Sequence, residues 1–242
     1  MSDEPLLRVE GVVKRFGGFQ ALGGVSLEVR AGERFGLIGP NGSGKTTLIS
    51  CISGTLRNEA GRIFFRGQDI TGLPAHRRTR QGIARTFQIP RPFGSMTVAE
   101  NLRLTLEYAA GDRAAPGGGT AEALDILRLV GLDAKAGVTS SRLTQIEMRK
   151  LELARAMAAK PALLISDEAM AGLSSSEVDD LLAILFRLNA AGTTVIMIEH
   201  IMRAVMRFSE RIAVLDAGEK IAEGPPATVV SDKAVERAYL GE

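Results

Sequence analysis

At 242 residues, with 45% hydrophobic and 24% charged side chains, the chain suits one large α/β domain with a substantial core and no covalent staples. Thirty basic and 28 acidic residues leave a formal charge of +2, which gives no compositional push toward nucleic acid. Cys51 is the single cysteine, which excludes an intrachain disulfide or a cysteine-rich zinc site and favours a reducing compartment. The acidic start, Met1-Ser2-Asp3-Glu4-Pro5, has no apolar stretch of the secretory kind, and no apolar run approaches the roughly 18–20 residues of a spanning helix. The chain is therefore expected to dock on a membrane at most, not to cross one.

Residues 6–13 and 21–29 are β-rich segments around Gly17-Gly18 and predict an antiparallel layer on a parallel core. Phe16, before the glycine pair, either stacks on a purine ring or is an ordinary hydrophobic turn residue. The strand-like run 34–38 leads into Gly39-Pro40-Asn41-Gly42-Ser43-Gly44-Lys45-Thr46, and a helical pattern continues from Thr46-Thr47. This is the phosphate-loop pattern: glycines bring backbone N–H groups close to a polyphosphate, Lys45 reaches its outer phosphates, and the Thr46 hydroxyl ligates Mg²⁺.

Segments 63–65 and 83–87 are further strands, and the basic run His76-Arg77-Arg78 between them reads as a solvated face. From about Pro90 the pattern turns helical, at 97–108 and 120–129, with a flexible glycine-rich loop at 111–119. Thr144-Gln145-Ile146-Glu147 fits a capping box that opens a helix to about Ala159. The apolar run 162–166 reads as a strand buried on both faces and ends at Asp167-Glu168. A helix at 176–189, a strand at 194–198 ending in Glu199-His200, a hairpin around 216–219 and a short helix complete the chain.

In an open parallel sheet ligands sit beyond the carboxyl ends of the strands, so the phosphate loop, Asp167-Glu168 and His200 converge on one crevice. The parts match nucleotide hydrolysis. Asp167 would hold the Mg²⁺ shell, Glu168 would orient and deprotonate the attacking water, and His200 would touch the terminal phosphate or position that water.

Taken together, the phosphate loop, Gln88 at a strand end ahead of a helical insert, Leu143-Thr144-Gln145-Ile146-Glu147 and the run to Ala156, residues 163–168, and His200 resemble an ATP-binding cassette of the ABC transporter superfamily. The likeness covers essentially the whole chain. The phrases 82–88, 198–200 and 237–242 are similar to the ATPase subunits of branched-chain amino acid importers. The resemblance implies a P-loop NTPase core with an antiparallel β layer, spanning 1–92 and 160–242, and an inserted helical subdomain at 93–159. It also implies ATP and Mg²⁺ as ligands, Phe16 as the adenine-stacking ring, and Gln88 as a Mg²⁺ contact that senses the permease. Transmembrane permease subunits would dock near Gln88 to Thr97, a separate substrate-binding protein would deliver the solute, and the cassette would sit on the cytoplasmic face of the inner membrane. A second cassette would face this one, each closing the other's nucleotide with its signature loop, here Leu143 to Glu147.

Three positions depart from the family pattern. Thr144 keeps the hydroxyl of the usual serine, but Ile146 replaces a glycine and is expected to resist positive φ and to crowd the phosphate. Ala169 stands where proline is usual, and Ser174 where aspartate is commonest. A weakened signature would suit a heterodimer. Two other readings share the phosphate loop: an ATP switch on a soluble partner, and a small-molecule kinase, which gains nothing from Gln88 or Thr144 to Glu147.

Overall fold

The computed structural model describes residues 4–110 and 119–240. The glycine-rich loop expected at 111–119 lies outside them apart from Gly119, as do Gly241 and Glu242. Strand β1 (Leu7–Phe16) turns at Gly17-Gly18 into β2 (Phe19–Val29), and β3 (Arg34–Ile38) feeds helix α1 (Lys45–Ser53). Then come β4 (Ala60–Phe65), β5 (Gln68–Asp69), α2 (Ala75–Gln81) and β6 (Ile83–Arg85). Helices α3 (Val98–Ala110), α4 (Gly119–Val130) and α5 (Gln145–Ala158) follow. The chain returns through β7 (Leu163–Asp167), α6 (Ser175–Ala190), β8 (Thr194–Ile198), α7 (Met202–Phe208), β9 (Arg211–Asp216) and β10 (Glu219–Gly224), and closes with α8 (Pro226–Val229) and α9 (Lys233–Leu240).

Two sheets result. The antiparallel layer has the order β2-β1-β4-β5, and the second sheet has the order β10-β9-β3-β8-β7-β6, parallel except for β10. Strands β7 and β8 are buried at every residue, which explains their unbroken apolar runs. Helix α1 lies between the layers, its Leu48, Ile49 and Ile52 packed with Val9, Val25, Phe35 and Ile63. A second cluster joins Leu102 of α3, Leu127 of α4 and Leu151 of α5 to Leu181 of α6 behind β7 and β8. A third seats Val235 of α9 beside Ile38, Val205 and Val214. The last residue of β3 is thus gripped from below just where the phosphate loop begins.

Two expectations are corrected. The strand expected at 83–87 stops at Arg85, so Gln88 does not end a strand but lies in the loop beyond. The reason is local: the Thr86 hydroxyl accepts the Asp167 N–H at 3.2 Å, replacing a ladder carbonyl and letting the chain leave the sheet. The basic run 76–78 is not a solvated face throughout. It belongs to α2, where His76 and Arg77 are exposed but Arg78 is only 2% exposed. The Arg78 guanidinium donates to the carbonyls of Cys51 (2.7 Å), Ile52 (2.8 Å), Leu73 (2.8 Å) and Thr71 (2.9 Å). It satisfies the last-turn carbonyls of α1, which have no partner within the helix.

Arg78→Met is therefore expected to lower unfolding free energy by about 3 kcal/mol or more, since several buried carbonyls lose a charged donor at once. Arg77→Met, on the exposed side, should change it by less than about 0.5 kcal/mol. Urea titrations of the two variants compare them directly, and equal midpoints would contradict the capping role.

Candidate active site

The phosphate loop leaves β3 through Gly39, Gly42 and Gly44, at φ of 148°, 80° and 103°. Two of these glycines are also sterically required. A Cβ on Gly39 would lie 2.0 Å from the Leu215 carbonyl oxygen, and one on Gly44 would lie 2.7 Å from that of Ala21. The loop is buttressed by the β9–β10 hairpin, whose two-residue turn, Ala217-Gly218, has positive φ at both positions. The Gly218 N–H donates to the Ser43 carbonyl at 3.1 Å, and the Gly218 carbonyl accepts from Gly23 at 2.8 Å. Lys45 is nearly buried, and its ammonium donates to the carbonyls of Gly39 (2.7 Å) and Pro40 (2.9 Å). Burial lowers its pKa, and the charges of Glu168 and Asp167 oppose that shift. The Lys45 charge therefore lies within electrostatic reach of both acids. Thr46 is exposed at the start of α1, with Thr47 half-buried behind it.

Strand β7 carries the acidic pair to the same edge. Asp167 is 4% exposed and pairs with Arg85 of β6 at 2.8 Å, and the other arm of that guanidinium donates to Ser50 of α1 at 3.1 Å. Glu168 leaves the sheet at φ 46°, a left-handed conformation that costs a non-glycine residue about 1–3 kcal/mol. Its carboxylate is held from both sides: Gln88 Nε2 donates to Oε2 at 2.6 Å, and His200 Nε2 lies 3.0 Å from Oε1. Three residues from separate parts of the chain thus meet at one carboxylate.

Not every expected site residue joins them. Thr144 caps α5 through a capping box in which its N–H donates to Glu147 Oε2 at 3.0 Å. Thr144 and Gln145 are exposed, and within the chain Gln145 reaches the Ala171 carbonyl at 3.4 Å rather than the phosphate loop. The strain expected at Ile146 is absent. Ile146 lies inside helix α5, is not among the described residues with positive φ, and packs with Leu143 against the helical cluster. Ser174 caps α6, donating to and accepting from Glu177, which gives this departure from the family pattern a local use. Phe16 is half-exposed at the β1–β2 turn with Lys14 Nζ 5.4 Å from its ring centre, and Phe19 is more exposed beside it.

Four contributors were not singled out from the sequence. Arg85 stands in a strand of otherwise apolar residues beside the acidic strand end, which is the signal that could have found it. Arg149 of α5 donates to the Gln88 and Ala171 carbonyls, and burial raises the pKa of the Tyr239 hydroxyl in α9, with the Gly39 amide opposing that shift. Glu199, 3% exposed, accepts the Met170 N–H at 2.8 Å. Burial pushes its carboxyl up to about 7, helped by Glu168 and opposed by the Met170 and His200 amides and by Arg149.

The residues of the loop fit a polyphosphate: Ser43 Oγ is buried without a protein partner beside the glycine backbone and Lys45. The comparisons with known proteins agree. The ABC transporter family profile matches residues 22–171, and the profile of the branched-chain amino acid ATP-binding cassette transporter matches 219–242. The chain belongs to the ABC transporter ATP-binding family. It is 40% identical to the high-affinity branched-chain amino acid transport ATP-binding protein LivG of Escherichia coli (strain K12), over 99% of each chain. Among solved structures it superposes on a nucleotide-free ATP-binding cassette from an ABC transporter with a TM-score of 0.89 at 34% identity, covering 99% of this chain and 100% of that one. It superposes with a TM-score of 0.82 at 25% identity on a dimeric post-hydrolysis cassette bound to ADP and phosphate, covering 91% and 98%. The cassette is thus an ATP-binding, ATP-hydrolysing transporter subunit with the P-loop NTPase fold expected. Among its described residues no helix is long and apolar enough to cross a membrane.

Glu199 makes the cassette's stability depend on pH. Its folded pKa of about 7 lies above that of an unfolded glutamate, about 4.3. Its contribution is therefore full below the lower value and is lost as pH rises through the upper one. Glu199→Gln keeps the acceptor for Met170 and removes the charge. It is expected to be more stable than the parent by roughly 2–3 kcal/mol near pH 8 and by much less near pH 5, measured by urea titration. Parallel pH profiles would show that the carboxyl gains no proton on folding.

Proposed function

We propose that this cassette powers uptake of branched-chain amino acids or a similar small polar solute, on the cytoplasmic face of the inner membrane. Permease subunits would dock near Gln88 to Thr97, with a separate substrate-binding protein delivering the solute. The transported class rests on the whole-length likeness to LivG and on the family match at 219–242. The single observation that carries the chemistry is the Glu168 carboxylate held between Gln88 and His200.

In this reading Gly39 to Thr46 bind the polyphosphate of ATP and Lys45 exchanges its loop carbonyls for the outer phosphates. Thr46, Gln88 and Asp167 would hold Mg²⁺, for which hydroxyl, amide and carboxylate oxygens suit a hard cation that takes its remaining ligands from phosphate and water. An ion held by these residues would supply positive charge against that developing on the transferred phosphoryl group. Glu168 accepts the proton of the attacking water through the oxygen that His200 orients, while Gln88 holds the other. Arg85 keeps the Asp167 side chain fixed. Phe16 stacks on adenine from the β1–β2 turn. The working division is a nucleotide-binding core at 1–92 and 160–242 and a helical subdomain at 93–159.

The signature residues, Leu143 to Glu147, sit apart from this chain's own loop, so two cassettes complete each other's sites. The exposed N-terminus of α5 offers free backbone N–H groups and a favourable dipole to a partner's phosphate. A heterodimer remains the favoured pairing because the Ile146 side chain departs from the family glycine, although the backbone strain expected of it is absent.

Glu168→Gln is expected to bind ATP as the parent does while phosphate release falls by about 100-fold or more, as loss of a general base does. Its solution mass with Mg-ATP decides the pairing. A dimer of the purified chain would remove the need for a different partner, whereas a nucleotide-bound monomer would support one. Undiminished phosphate release would overturn the assignment of Glu168.

A further inference from the structure

Helix α5 is tied to the site by two arginines. Arg155, six residues after Arg149 and therefore less than two turns along, donates to the Arg91 carbonyl at 2.9 Å. Arg149 donates through one terminal nitrogen to the Gln88 carbonyl and through the other to that of Ala171, 3.3 Å away. The two guanidiniums therefore fasten the 88–91 segment to α5, and Arg149, together with Gln145, also fastens the segment that follows Glu168. Arg149 is 9% exposed. Burial lowers its pKa while Glu199 and Glu152 hold it up, so the charge is balanced where it stands. Glu199 in turn accepts the Met170 N–H, next in the chain to Ala171.

The consequence concerns Gln88. Its side chain holds Glu168 and its carbonyl is held by Arg149, so the carboxylate is positioned relative to α5 through one residue. The exposed N-terminal end of the same helix is the signature end, about one turn before Arg149. We propose that Arg149 is a positioning residue that transmits the placement of the signature end of α5 to this chain's own Gln88 and Glu168. Engagement of one nucleotide by the signature thereby sets the geometry of hydrolysis at the other. This rests on the ATPase reading above, and it adds a route between the two sites that lies within one chain.

A lysine presents its donors from a single nitrogen rather than from the two ends of a planar fork, so it cannot reproduce both contacts that Arg149 makes through separate terminal nitrogens. In the assembled transporter, Arg149→Met is expected to lower kcat at least tenfold and to leave the KM for ATP within about twofold, because Arg149 makes no contact with the phosphate loop. Arg149→Lys should recover part of the loss. In the Gln88→Ala background, Arg149→Met should cost less than twofold more, since the side chain that carries its effect to Glu168 is gone. Full, independent losses in the two backgrounds would overturn the proposal. A second measurement does not depend on turnover: in the purified chain without nucleotide, amide hydrogen exchange over 86–91 and 169–173 should rise together in Arg149→Met while that over 39–48 stays unchanged. A uniform rise over the whole chain would mean a merely structural role, and no rise in either segment would also overturn the link. Failure of the parent to hydrolyse ATP would count against the ATPase reading and leave the exchange result to judge Arg149.

Discussion

The site depends on the register of three parallel strands. Leu37 of β3 and Asp167 of β7 both lie opposite Ile198 of β8, which aligns the phosphate loop, the acidic pair and His200 at one edge. Because successive side chains in a strand face opposite ways, a slip of one residue would exchange the surroundings of Asp167 and Ser166 and point the wrong group at Arg85. The Arg85–Asp167 pair and the Asp167 N–H donated to the Thr86 hydroxyl are made only in the observed register. Glu168 then turns outward by adopting a left-handed backbone, and the bond from its N–H to the Ile198 carbonyl, at 2.9 Å, keeps that turn in place.

The phosphate loop is equally a product of its surroundings. Its glycines allow the required backbone, but its position is set by the Gly218 hairpin on one side and by β2 on the other. No extra atom fits between Gly44 and the Ala21 carbonyl. Lys45 shows how a buried cation is tolerated before it meets a phosphate: two loop carbonyls accept its protons, and two carboxylates lie within electrostatic range. The binding surface is therefore charged and ordered in advance, which reduces the cost of organising it when nucleotide arrives.

Guanidinium groups recur at several points where the backbone leaves regular structure. Arg78 closes the end of α1, Arg149 and Arg155 hold the 88–91 segment, and Arg34 donates to the Phe208 carbonyl at the end of α7. A planar fork reaches carbonyls on separate segments through different nitrogens, which the single nitrogen of a lysine does not. The helical layer is joined to the site by such polar contacts as well as by the apolar cluster of α3, α5 and α6. Small rotations of that layer are therefore felt at Gln88.

By itself the sequence determined the phosphate loop, the buried strands ending in Asp167-Glu168 and in Glu199-His200, and the capping box at Thr144. Each is a local pattern in which residue type and spacing encode backbone geometry or burial directly. It did not reveal that Arg78 is a buried cap, since three consecutive basic residues look alike until α2 selects one of them to face α1. Nor did it show that Ile146 sits in its helix without strain, or that Arg85, Arg149 and Glu199 surround the acidic pair. Those facts depend on partners 60 or more residues apart in the chain for Arg149 and Gln88, and 82 apart for Arg85 and Asp167. Only tertiary structure decides such meetings, because a hydrogen bond between distant residues leaves no period or spacing in the sequence to read.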